Sequence, residues 1–133
     1  MSQRNKEAVL AYVDAFNRAD FDRLREIYTP DAVVHGVLGW GEIDKVVAIW
    51  RELHECFQLK LQVDSIIAEG DIVAVRYTER GTSTKSFRGL PVTGKSYEMV
   101  AMEWFEMRNG KIHRRWGARD SASQFRQMGI ALS

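Results

Sequence analysis

The sequence holds one cysteine, Cys56, and only two prolines, Pro30 and Pro91, in 133 residues. A single thiol excludes a disulfide within the chain and a zinc site built on cysteine pairs. It fits a reducing, cytoplasmic setting. Net charge is scarce as well. Nineteen lysines and arginines against 18 aspartates and glutamates leave +1, so no broad field draws the protein to nucleic acid or to an anionic membrane. Long apolar runs are missing. Met1 to Glu7 are polar and charged, no apolar leader follows them, and no stretch reaches membrane-spanning length. The three histidines, His35, His54 and His113, stand apart without paired spacing, which argues against a metal site.

What is present is ordinary globular material. Hydrophobic residues at 45% and charged residues at 28% exclude a disordered or fibrous chain. The length suits one domain over residues 1–133, able to bury roughly two-thirds of its unfolded surface without disulfides.

Residues 3 to 18 carry a helical period, with Val9, Tyr12, Val13 and Phe16 at i, i+3, i+4 and i+7. Asp20 opens a short second helix that Pro30 stops. Residues 32–38 read as a strand, and Gly39 and Gly41 bracket Trp40 in a turn. A third helix runs from about Glu42 to Phe57 on the stripe Ile43, Val46, Val47, Trp50, Leu53 and Phe57. The period then changes to two. Strands are expected at 59–63, 72–78, 96–107 and 111–119, with a hairpin at Asn109-Gly110 and an irregular stretch at 81–94. A short helix from Asp120 to Met128 ends at Gly129. This order gives an α+β fold, with helices on one side of a curved, mostly antiparallel sheet.

The strand at 97–107 has two apolar faces. Val100, Met102 and Trp104 share one; Tyr97, Met99, Ala101 and Phe105 share the other. Helices can cover only one face. The other is expected to meet a second subunit, giving a homodimer through the outer sheet face.

Several segments together resemble the SnoaL-like polyketide cyclases of the NTF2-like (cystatin-like) superfamily. They are Val73 to Thr78, Gly81-Thr82, Phe87 to Lys95, Asn109-Gly-Lys-Ile112, Trp116, Asp120 and Gln127-Met-Gly129. The resemblance implies a conical barrel, a bent sheet wrapped around the N-terminal helices with an apolar pocket inside. It implies a small hydrophobic carbonyl compound, polyketide-like, as substrate. A carboxylate at Asp120 would remove a proton next to a carbonyl, and intramolecular aldol attack would close a ring, with no metal or organic cofactor. The sequence differs from the family pattern at Ser83, where histidine is frequent, at Arg114, where an acid is frequent, and in lacking histidine over 97–107. A non-catalytic binding protein and a limonene-epoxide-hydrolase-like enzyme are the alternatives.

Asp120 shares strand parity with Ile112, Arg114, Trp116 and Ala118. If that row faces the pocket, Asp120 lies at its inner end. Apolar surroundings raise a carboxylate's proton affinity, which suits a base that later returns its proton. Asp120 can equally cap the helix beginning at Ser121. His35, on the early strand, could donate a hydrogen bond to an enolate oxygen. The expected pocket wall is Trp116, Trp104, Met102, Phe16, Tyr12 and Trp50, with Arg114 at the rim or inside.

Overall fold

The computed structural model describes residues 2–36 and 39–130; Val37 and Leu38, at the end of the expected early strand, lie outside them. The helices are α1 (Ser2–Asn17), α2 (Phe21–Ile27), α3 (Ile43–Phe57) and α4 (Ser121–Met128). The strands are β1 (Tyr28–Gly36), β2 (Gly39–Glu42), β3 (Lys60–Glu69), β4 (Ile72–Thr82), β5 (Ser96–Arg108) and β6 (Lys111–Arg119). They form one open, bent sheet in the order β2-β1-β6-β5-β4-β3. All neighbours run antiparallel except β1 and β6, which are parallel.

Local chemistry sets the element ends. Asp20 accepts a hydrogen bond from the Arg23 amide at 3.1 Å and caps α2. Gln58 adopts a left-handed conformation after α3 and donates its N–H to the His54 carbonyl at 2.9 Å. Asn109 and Gly110 both take positive φ, 51° and 77°, which matches the right-handed twist of the β5–β6 hairpin.

Several boundaries differ from the sequence expectation, and β4 runs four residues past Thr78, to Thr82. β1 starts at Tyr28 and runs through Pro30, because its pairing with β6 is interrupted between Tyr28 and Val33, where a residue without an N–H fits. β3 extends to Glu69 past a register shift between Val63 and Ser65 that breaks the alternation. The segment around Trp40, expected as a turn, is the short strand β2.

One apolar core joins the helices to the concave sheet face. Val9, Tyr12, Val13 and Phe16 of α1 are buried, as are Ile43, Val46, Val47, Trp50, Leu53 and Phe57 of α3. α1 lies against β3 and β4, α3 against β1 and β2, and α4 against β5. Among the described residues no helix is long and apolar enough to cross a membrane.

Candidate active site

Alternation on the central strands decides what faces the core. β4 buries Val73, Val75, Tyr77 and Glu79; β5 buries Tyr97, Met99, Ala101, Glu103, Phe105 and Met107. Two of these inward residues are carboxylates. On β6 the register shifts opposite Glu106 and Met107, so Ile112 is buried, and beyond the bulge the inward positions are Arg115, Gly117 and Arg119. One inserted residue reverses the parity of everything after it.

Each inward arginine meets an inward carboxylate. Arg115 forms an ion pair with Glu103, both almost wholly buried. The Tyr12 hydroxyl, from α1, donates to Glu103 Oε2 at 3.2 Å. Glu103 Oε1 has no hydrogen-bond partner among the described residues. Gly117 is the cross-strand partner of Glu103, and a Cβ there would lie 3.1 Å from Arg115 Nη1. The missing side chain spares the guanidinium that tight contact. The second pair is better satisfied. Glu79, 2% exposed, accepts from Arg119 Nε at 3.0 Å and from the Tyr97 hydroxyl at 2.7 Å. Arg119 also donates to Gln124 Oε1 of α4 at 3.2 Å.

Both pairs border one recess in the concave face. Its cavity volume is about 70 Å³, and it opens to solvent on one side. Phe16, Ile49, Trp50, Leu53, Leu59 and Leu61 give it apolar walls, and Tyr12 and Tyr77 bring phenols to it. Few polar groups converging in an apolar hollow is the usual build of a small-molecule site.

Burial pushes the phenols of Tyr12, Tyr28, Tyr77 and Tyr97 well above their ordinary value. These are all four tyrosines of the chain. A raised pKa in the folded state means stability is intact below the unfolded value, near 10, and is lost as pH rises above it. Near-ultraviolet absorbance is expected to show no tyrosinate up to about pH 10. All four phenolates should then appear in one step, together with loss of the circular dichroism signal. Stepwise ionisation of a still folded protein would contradict this packing.

Among the residues the sequence singled out, Tyr12, Phe16 and Trp50 line the recess, and Met102 borders it while half-exposed on the other sheet face. The others lie elsewhere. Asp120 is exposed and caps α4, accepting from the Ser123 amide at 3.1 Å. Arg114 is exposed, and Trp116 and Trp104 stand on the convex face. His35 stacks on Trp116 with ring centroids 5.3 Å apart and planes 5° from parallel. The bulge in β6 explains the correction for Arg114, Trp116 and Asp120. Trp104 follows from Glu103 taking the inward position beside it.

Sequence reasoning passes over Glu79, Glu103 and Tyr77, and reads Arg115 and Arg119 with Arg114 only as a basic cluster, on a solvated face or facing an anionic substrate group. A signal existed for the two acids. Glu103 has the parity of Tyr97, Met99, Ala101 and Phe105, and Glu79 that of Val73, Val75 and Tyr77. An acid inside an apolar alternation is either a fault in the pattern or a buried functional group.

An open α+β sheet bent around its helices is the architecture of the NTF2-like cone proteins. Within them, the chain belongs to the SnoaL-like polyketide cyclase family, whose model matches residues 6–128. The fold agrees with that of IdmH from Streptomyces antibioticus, a proposed polyketide cyclase. That pair is 28% identical with a TM-score of 0.86, over 95% of this chain and 99% of that one. AclR from Streptomyces galilaeus, a proposed hydroxylase, is 26% identical with a TM-score of 0.87, over 97% and 98% of the two chains. A SnoaL-like protein from Jannaschia sp. CCS1 shares the fold at 23% identity and a TM-score of 0.89, over 99% and 96%. The curated proteins contain no match to the sequence.

Proposed function

We propose that the protein catalyses cofactor-free proton transfer on a small apolar carbonyl compound, with Glu103 as the base, leading to ring closure by intramolecular aldol attack. The observation that carries this is the free carboxylate oxygen, Glu103 Oε1, buried without a partner beside an apolar recess. Arg115 and Tyr12 hold the carboxylate from its other side, so the free oxygen is presented in fixed geometry. Glu103 takes a proton from carbon next to a carbonyl, and the enolate carbon attacks a second carbonyl carbon. A C–C bond forms, the second C=O pair moves to its oxygen, and the proton on Glu103 passes to that oxygen. The carboxylate is then restored.

Deuterium uptake at the α-carbon of 1-indanone in D₂O, followed by NMR, tests the first step without knowledge of the natural substrate. Glu103→Gln keeps the side-chain volume and is expected to slow the exchange by about 10²–10⁴-fold. Unchanged exchange in a folded variant would remove Glu103 from the reaction. Indanone bound but never exchanged by the native protein would point to a binding module.

Two carboxylate–arginine pairs inside one hollow also favour a second reading, in which a carboxylate activates water for epoxide opening. Incorporation of labelled water oxygen into product separates the two, because aldol closure takes none up.

The convex face is proposed as the surface through which two copies pair. Cross-strand registers set His35, Trp116, Trp104, Ala74 and Ile67 in one rank over five strands. Trp104 is 48% exposed and Ile67 65%. A lone apolar side chain on a surface is common; a rank of this width supports a partner face.

A further inference from the structure

Tyr77 lines the recess and is wholly buried, yet its hydroxyl meets no hydrogen-bond partner among the described residues. Burying a hydroxyl unpaired is costly, so the position calls for an acceptor supplied from outside. The other phenols are placed differently. The Tyr12 hydroxyl donates a hydrogen bond to Glu103, and the Tyr97 hydroxyl donates one to Glu79. Tyr28 also has an unpaired hydroxyl, but it is not part of the recess wall.

We propose that the Tyr77 hydroxyl is the oxyanion donor of the recess. It hydrogen-bonds the carbonyl oxygen of the bound compound and holds the charge that gathers there when Glu103 takes the neighbouring proton. This rests on the reading of Glu103 as the base. The C–H bond breaks and its electron pair becomes the enolate C=C bond. The carbonyl pair moves to oxygen, the proton rests on Glu103, and Tyr77 keeps its own.

Register places the two groups for that task. Tyr77 pairs with Ala101 across β4 and β5, and Glu103 pairs with Val75. Tyr77 and Glu103 are thus diagonal neighbours on the concave face, about 7–8 Å apart along the backbone. Ala101, the cross-strand partner of Tyr77, is small and lines the recess with them. Donor and base can reach two adjacent atoms of one ligand, an acceptor oxygen and the carbon beside it. The ligand class is therefore an enolisable ketone or its enol. Burial keeps Tyr77 protonated, so it donates throughout the neutral range.

Tyr77→Phe is expected to slow indanone exchange by about 10²–10³-fold with KM changed little. Because the hydroxyl has no partner to abandon, thermal stability should stay level or rise. A merely structural tyrosine would behave the opposite way. A second measurement does not use turnover. 2-Naphthol has distinct fluorescence as phenol and as anion, and its anion stands in for an enolate. The Glu103→Gln protein, whose neutral amide stands for the protonated base, should bind the naphtholate in preference, and adding Tyr77→Phe should lose that preference by 10-fold or more, on the order of one hydrogen bond to charge. Naphtholate held equally by both variants, or not preferred with Tyr77 present, overturns the assignment. If Glu103→Gln leaves exchange intact while Tyr77→Phe weakens naphtholate, the base is wrong and the donor stands. If Glu103→Gln stops exchange while Tyr77→Phe changes neither readout, the donor is wrong and the base stands.

Discussion

Arg115→Met is expected to lower the unfolding free energy by about 3–5 kcal/mol, the cost of leaving a buried carboxylate without its cation. For a chain of this size that is a fall in Tm of roughly 10–20 °C. Arg115 and Glu103 are both about nine-tenths buried, so water cannot readily take over the lost charge. After the substitution, Glu103 keeps only the Tyr12 hydroxyl at 3.2 Å. The guanidinium also lies over the Trp50 ring, 5.6 Å from its centroid, and methionine retains part of that packing but none of the charge. Glu103→Leu/Arg115→Met removes both charges and should recover most of the loss, since a buried ion pair replaced by apolar groups of similar size is often neutral or stabilising. Thermal unfolding of the native protein, the single and the double variant measures this. A loss below about 1 kcal/mol in the single variant would mean that the carboxylate is solvated, a surface-pair value.

Trp104→Glu is expected to turn the proposed dimer into a monomer. Trp104 sits at the middle of its rank, between Trp116 on β6 and Ala74 on β5's other neighbour, β4. A large aromatic at the centre of an interface is the usual hot spot, with truncation costing about 2–4 kcal/mol. That is roughly 30- to 1,000-fold in Kd, and a buried charge adds to it. The side chain is half-exposed in the single chain, so the fold should tolerate the change, and circular dichroism would register any failure to do so. Mass measured by light scattering over a range of concentrations gives the result. A native protein that stays monomeric at high concentration, or a variant that pairs as before, would remove this face from assembly.

The helices and central strands were legible in the sequence because their periods are clean. The α3 stripe from Ile43 to Phe57 and the Asn109-Gly110 turn read directly. The two apolar faces of β5 were legible too. Which face is concave was not. Tryptophan and methionine suggest interior, yet Trp104 and Met102 are half-exposed while Glu103 is buried. Composition favours the wrong side when the outer face is itself apolar and the inner one carries charge. On β6 the error has a single source. The register shift opposite Glu106 and Met107 leaves no mark in residue type, and it turned Arg115 inward and Trp116 outward. Asp120 then falls at the helix cap, the role its position before Ser121 also permitted. The charge pairs were hidden for another reason. Glu79 and Arg119 lie 40 positions apart, and nothing local announces that they meet.

Gly117 couples positions 115 and 117. A Cβ at 117 would stand 3.1 Å from Arg115 Nη1, tighter than ordinary contact, so a side chain there has to push the arginine head aside by a few tenths of an ångström. A larger residue at 117 therefore acts on the arginine's hold on Glu103. Any redesign of the hollow has to weigh the two together, as one unit of shape and charge.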